Sequence, residues 1–247
     1  MRRLIPTLVV LFASTVLSST VLAAPAQAMF NGLSLGDDFS AKTQIFLIMT
    51  ALSLLPALIM VVTSFARFLI ILSLLRQALG LQQGLPNRVI TGIALLLTLL
   101  VMRPVGMEVW QSSIEPFDQG RITFKQAVME AEKPLSRFML AQTNKATLAM
   151  IAKQTGESQV SNPMEHSFMV KMSAFMLSEL KTAFQIGCVL FIPFLVIDLV
   201  VASVLMSMGM MMLSPLVISL PVKLLLFVLI DGWTLTINTL TTSIQTY

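Results

Sequence analysis

The sequence predicts an all-α, multi-helix, membrane-associated protein, and three observations carry that prediction. The chain has 247 residues, of which 56% are hydrophobic and 11% charged. A soluble domain keeps roughly a quarter of its residues charged. Mean hydropathy is +0.86. The apolar residues gather in four runs, each long enough to approach or exceed the thickness of a bilayer. A net charge of +4 accompanies scattered basic residues that do not interleave with aromatics, so no nucleic-acid surface is indicated. One cysteine, Cys188, and one histidine, His166, exclude a disulfide framework and a Cys/His zinc site within the chain.

The elements follow in order. Residues 1–28 read as a cleavable signal peptide. Arg2 and Arg3 precede an apolar stretch over 4–22, and Ala26-Gln27-Ala28 is a small-x-small cleavage site. A retained first membrane helix is the alternative; the small residues and Pro25 favour cleavage. The mature chain would begin near Met29, outside the cytoplasm. Residues 29–105 form an N-terminal helical hairpin built on the apolar segments 45–64 and 89–105. Residues 106–182 form an extracytoplasmic helical region. Residues 183–247 form a C-terminal hairpin whose apolar segments, 184–205 and 216–233, flank a methionine loop. Pro56, Pro193 and Pro221 lie inside three of these segments. Each removes a backbone hydrogen bond and favours a kink.

Orientation follows from Lys and Arg in the short loops. The loop between the first two segments carries Arg76 and Arg88 and no acid, so it reads as cytoplasmic. Counting segments then places the middle region outside, the methionine loop inside and the C-terminus outside. The middle region is ordinary in composition, with eight basic and eight acidic residues over 106–181. Thr123 and Gln126 match a capping box. Leu135, Phe138, Met139, Leu148 and Ile151 recur at helical spacing. Asn162 reads as an N-cap with Pro163 at the first helical position, and one helix is expected to run from there into segment 184–205.

No constellation is catalytic. His166 has no nucleophile or paired carboxylate beside it in sequence and reads as a surface residue just after a cap. Cys188 sits in an apolar stretch, where a thiol is a packing residue. No cofactor or metal is indicated. The informative residues are charges inside or beside apolar segments: Arg67, Arg103, Asp198, Lys223 and Asp231. Each costs about 2.5–3.5 kcal/mol at a bilayer centre. Asp198 and Lys223 are nearly equidistant from a turn at Met210 and Met211. They are expected to pair, within or between chains, while snorkelling of Lys223 to an interface is the alternative. Glu179 and Lys181 lie two apart on a helix and cannot face each other; their partners belong to other helices or other chains.

Three long blocks then carry a resemblance. They are TSFARFLIILSLLRQALGLQQGLPNRVITGIALLLTLLVMRPV, MSAFMLSELKTAFQIGCVLFIPFLVIDLVVASVLMSMGMMMLSP and ISLPVKLLLFVLIDGW. In this order they resemble the FliP family of bacterial flagellar export-gate subunits, over nearly everything after the signal sequence. Relatives in virulence type III secretion share the blocks but generally lack a cleaved signal peptide. The flagellar reading is therefore preferred, with the virulence export-gate subunit as the alternative.

The resemblance implies bent helical hairpins, assembled as five copies with one FliR into a helical pseudo-hexameric ring, with FliQ packed outside. It implies an inner-membrane location within the flagellar basal body and neighbours such as FlhB and FlhA. Unfolded flagellar subunits would pass through, driven by energy from other components. It also implies that helices sit above the plane a hydropathy map assigns. Met210, Met211 and Met212 correspond to the family's ring of methionines that constricts the pore. Physical chemistry makes this reasonable, because methionine is unbranched, apolar and adaptable. Such chains can close against one another and still deform around a passing polypeptide. Gly209 lets the backbone turn and Pro215 restarts the next segment. A Cu(I) transporter using thioether ligands would be expected to draw on further Cys, His or spaced Met. A scaffold without a pore is the remaining reading, and ion conductance of methionine-loop variants separates it from a gate.

Overall fold

A computed structural model describes residues 39–81, 84–157, 160, 162–210 and 213–244. The expected signal peptide, Met211 and Met212 lie outside the described residues. The described residues are helical, turn or irregular, with no strand among them. The chain divides into two compact units, Met1–Pro56 and Ala57–Tyr247.

The described part of the first unit belongs to helix α1, Phe39–Val62. It exposes Phe46, Leu52 and Leu54. In the second unit α1 ends at Val62, and the chain bends by 82° into α2, Phe65–Ala78. The cause is local. Thr63 Oγ1 donates back to Ile59 O at 2.7 Å and accepts from Phe65 N at 3.4 Å, so a side chain competes with the helical ladder. The apolar run that reads as one segment over 45–64 and beyond is thus two helices.

Helix α2 is the buried spine of this unit. Phe65, Phe68, Ile71, Leu72, Leu75 and Ala78 all face inward. Helix α3 follows, Asn87–Val109. It passes through a π-helical turn, Trp110–Ile114, into α4, Glu115–Asp118. Together they make one helical stretch, Asn87–Asp118, longer than the expected 89–105. The wide turn aims Ser113 Oγ at Ala127 O, 2.6 Å away. Helix α5, Phe124–Gln142, opens on the expected capping box. Thr123 N donates to Gln126 Oε1 at 2.9 Å, and Gln126 N to Thr123 Oγ1 at 3.4 Å. Helix α6, Lys145–Gln154, follows, capped by Asn144.

The next helix starts later than the sequence suggested. Asn162 caps only a short 3-10 turn, Pro163–Glu165. Helix α7, Phe168–Ser207, is capped by Ser167, whose hydroxyl accepts from Val170 N. His166 is also not a surface residue. It is buried, with Nδ1 3.1 Å from Glu157 Oε2. Helix α7 has 40 residues and continues unbroken through Pro193. At 1.5 Å per residue it is about 60 Å long, twice the roughly 30 Å of a hydrocarbon core. Its first half packs on α5 and α6 through Phe175, Val170 and Ala174. Its second half is covered in exposed Val, Leu and Ile.

Helix α8, Pro215–Leu229, returns antiparallel to α7. Asp231, at φ +51°, then ends that course. The chain bends by 66° into α9, Gly232–Thr242. Leu240 and Ile244 join the core around Phe65, Phe68 and Phe175.

Candidate functional site: a methionine hairpin pinned by buried charge

The hairpin begins with the end of α7. Gly209 takes φ +72°, a left-handed conformation that costs a residue with a Cβ. Gly209 N donates to Met206 O and Met210 N to Leu205 O, both at 3.0 Å. This paired arrangement satisfies two carbonyls the helix would otherwise leave open. Pro215 then occupies the first position of α8, where its missing N–H is no loss. Met210 is exposed at the tip between them.

Two contacts set the register below this tip. Asp198 meets Lys223, and Phe194 meets Phe227 at 6.3 Å between ring centroids. Both pairs are centred between Met210 and Met211. Lys223 Nζ donates to Asp198 Oδ2 at 2.6 Å and to Ala78 O at 3.0 Å. Ser219 Oγ donates to the other carboxylate oxygen, Oδ1, at 2.6 Å. The structure therefore pairs Asp198 with Lys223 inside one chain, and the lysine is buried rather than drawn out to an interface. Ala78 O belongs to the last turn of α2, so the ammonium also neutralises the negative end of that helix dipole.

A second charged node lies at the other end of α2. Arg67 is 2% exposed and Glu179 0%. The guanidinium engages both carboxylate oxygens, with Nε to Oε2 at 2.8 Å. Nη1 also donates to Ser243 O at 2.9 Å and to Ser243 Oγ at 3.2 Å. Nη2 reaches Gln142 Oε1 at 3.5 Å. One arginine thus joins α2, α5, α7 and the carboxyl end of α9. A buried ion pair is tolerated only when its remaining donors and acceptors are met, and this one meets them through three helices.

The two nodes define how α2 lies on α7. Arg67 pairs with Glu179, Leu74 touches Gly187, and Ala78 is reached from the Asp198 node. The helices are parallel, and Gly187 lets them approach: a Cβ there would stand 2.3 Å from Leu74 Cδ1. Glu179 and Lys181 point apart, as their spacing requires. Lys181, Arg103 and Asp231 are exposed, and none of them has an ion-pair partner among the described residues. Sequence reasoning missed Ser219, Gln142, Ser243 and the Ala78 carbonyl. Ser219 alone left a signal, standing four residues before Lys223 and so on the same helix face.

These features define a class: a helical membrane subunit that buries charge between its own helices while presenting apolar faces outward. The comparisons with known proteins are specific. The model of the FliP family matches residues 48–240. Over 219 residues the chain is 46% identical to a flagellar biosynthetic protein FliP of Cereibacter sphaeroides, covering 89% of this chain and 72% of that one. It is 46% identical over 208 residues to the FliP of Pectobacterium carotovorum subsp. carotovorum, covering 84% and 81%. It is 42% identical over 204 residues to that of Bacillus subtilis, covering 83% and 92%. The chain belongs to the FliP family. It is a component of the flagellar export gate and not an enzyme, and the flagellar reading prevails over the virulence one. Its long apolar helices accord with a protein embedded in a membrane.

Proposed function

We propose that this chain forms, with further copies of itself and with FliR and FliQ, the pore through which unfolded flagellar subunits cross the inner membrane. The reading takes five copies and one FliR in a helical pseudo-hexamer, FliQ outside, and FlhA and FlhB as neighbours in the basal body. It includes removal of residues 1–28 on the way to the membrane. Met210, Met211 and Met212 of each copy close the lumen.

The observation that supports this reading best is the mechanical design of the hairpin. A free methionine tip is carried on two helices locked in register by Asp198, Ser219 and Lys223. The tip can deform while its base stays fixed. Thioether chains offer no hydrogen-bond pattern to a substrate, so any sequence passes, and their volume excludes water and ions between passages.

The test is ion leakage across the inner membrane, compared at equal assembled amounts. Replacing all three methionines by Ala empties the lumen but leaves the charged nodes intact, so rings assemble and leakage rises. Replacement by Leu keeps apolar volume and keeps more of the seal. Equal leakage in wild type, triple-Ala and triple-Leu proteins would reduce the methionines to a packed turn.

A further inference from the structure

The methionine tip has no cover among the described residues of the subunit. Residues 206–210, Leu213 and Ser214 are all exposed. Where the tip stands therefore follows from where α7 ends and where α8 begins. Asp198 and Phe194 hold α8 to α7 on one side. A second support comes from the end of α2. Leu216, Leu220 and Lys223 follow one another along a single face of α8, at the spacing of a helix. All three meet the turn that closes α2. Lys223 donates to the Ala78 carbonyl. Leu220 and Leu216 meet Gly80, where a Cβ would stand 3.2 Å and 3.8 Å from their Cδ1 atoms. Leu216 directly follows Pro215, so this support bears on the first turn beyond the tip.

The turn is fixed in place by its own bonds. Gly80 takes φ +75°. Gly80 N donates to Gln77 O at 3.0 Å and Leu81 N to Arg76 O at 3.1 Å, the paired closure of a helix end that favours glycine. Arg76 clasps the turn: its Nε donates to Leu81 O at 3.2 Å, and its guanidinium also reaches Asn87 Oδ1. Leu79 is buried in a cluster with Leu75, Ala78, Phe194 and Phe227. Behind the turn, α2 is held along α7 by the Arg67–Glu179 pair and by the close fit of Leu74 on Gly187. The turn is thus the end of a strut, and a close-packed contact there transmits small displacements. The left-handed conformation alone does not explain the contact. Gly120, at φ +67°, has nothing within 4 Å of where a Cβ would stand.

Resting on the export-gate reading above, we infer that Gly80 is a positioning residue of the methionine constriction. Its missing side chain sets how closely α8 approaches the end of α2, and so where the methionine tip of each copy stands in the lumen. A side chain at this position pushes Leu220 and Leu216 outward. That tilts the first turns of α8 and draws the tip off its seat without altering a methionine.

The experiment measures ion leakage across the inner membrane, divided by the amount of assembled complex. Gly80→Asn adds a side chain while keeping the left-handed turn, which asparagine tolerates. Gly120→Asn makes the same change where there is room. Leu220→Ala, combined with Gly80→Asn, vacates the space that the new side chain takes. The expected result is leakage several-fold above wild type for Gly80→Asn, wild-type leakage for Gly120→Asn, and a return toward wild type in the double variant. A merely structural role would lower the amount of complex and leave leakage per complex unchanged. If Gly80→Asn assembles too poorly to measure, Leu220→Ala alone carries the test, because it leaves the first turns of α8 unsupported and should leak as well. Wild-type leakage per complex in the variant measured, or a double variant that leaks as much as Gly80→Asn, overturns the inference, provided the triple-Ala methionine protein leaks. Wild-type leakage in that triple-Ala protein would instead overturn the gate reading itself.

Discussion

A buried charge behaves differently from an exposed one, and the two nodes allow that difference to be measured. Breaking a buried pair by removing one partner costs about 3–5 kcal/mol, because the other charge is stranded. Glu179→Gln strands Arg67 at a fully enclosed site, so it should cost that much. Asp198 is 40% exposed, so its loss should cost less. The comparison within the second node is sharper. Asp198→Ala leaves the buried ammonium of Lys223 with only the Ala78 carbonyl. Lys223→Met leaves the half-exposed Asp198 with Ser219 and solvent, and retains apolar volume. Denaturation of the purified subunit should therefore rank Lys223→Met as milder than Asp198→Ala; the opposite order would mean the pair is not what stabilises the node. Exchanging the two charges should recover part of the loss, because the contacts to Ser219 and Ala78 are not restored. A sterically cleaner case is Gly232→Ala, which drives a methyl into a Phe227 ring already packed against Phe194 and Trp233. Overpacking of this kind costs about 1–3 kcal/mol, visible as a lowered melting temperature.

Elements explain which parts of this arrangement could be read in the sequence. The partnership of Asp198 and Lys223 was legible because a hairpin reflects positions about its turn, and the turn was marked by glycine, methionine and proline. The partner of Glu179 was not, since Arg67 lies 112 positions away and only the parallel packing of α2 on α7 brings them together. The 82° break before α2 was hidden because both sides of it are equally apolar. The π turn was hidden because one wide turn barely disturbs a helical period. At Gly209 the local rule was readable and has a cost attached. Putting a Cβ on a left-handed residue costs about 1–2 kcal/mol, so Gly209→Val should lower hairpin stability, and Gly209→Asn should do so less. A pH dependence belongs to the loop before α7. The Ser167 backbone N–H, 2.9 Å from Glu157 Oε2, and then the Ser167 hydroxyl hold this carboxyl below its ordinary value of 4.5. A lowered folded value means the loop is stabilised above the unfolded carboxylate value. That stability is lost as pH falls below 4.5 and through the folded value. Amide exchange over residues 155–167 should rise in that acid range for the natural chain, while Glu157→Gln should exchange faster at neutral pH and lose the acid step.

At the scale of the whole molecule, charges that find partners within the chain separate from those that do not. Arg67, Glu179, Asp198 and Lys223 are satisfied internally. Arg103 on α3 and Lys181 on α7 stand exposed with no ion pair among the described residues, on helices whose other outward residues are largely apolar. An unpaired cation on such a surface is costly in hydrocarbon and cheap where an adjoining subunit supplies an acid. The expectation for substitutions follows from this division. Arg67→Ala should unfold the subunit, lowering its amount in the membrane whether or not other gate proteins are present. Arg103→Ala and Lys181→Ala should leave the isolated subunit as stable as before, because no hydrogen bond or ion pair within the described chain is lost. They should instead reduce the fraction found in the large complex, read by native mass after gentle solubilisation, and a compensating acid-to-neutral change on the neighbour should restore it. Unchanged native mass for both variants would place these two cations against water or lipid headgroups, and assembly would then rest on the apolar faces of α7 and α8.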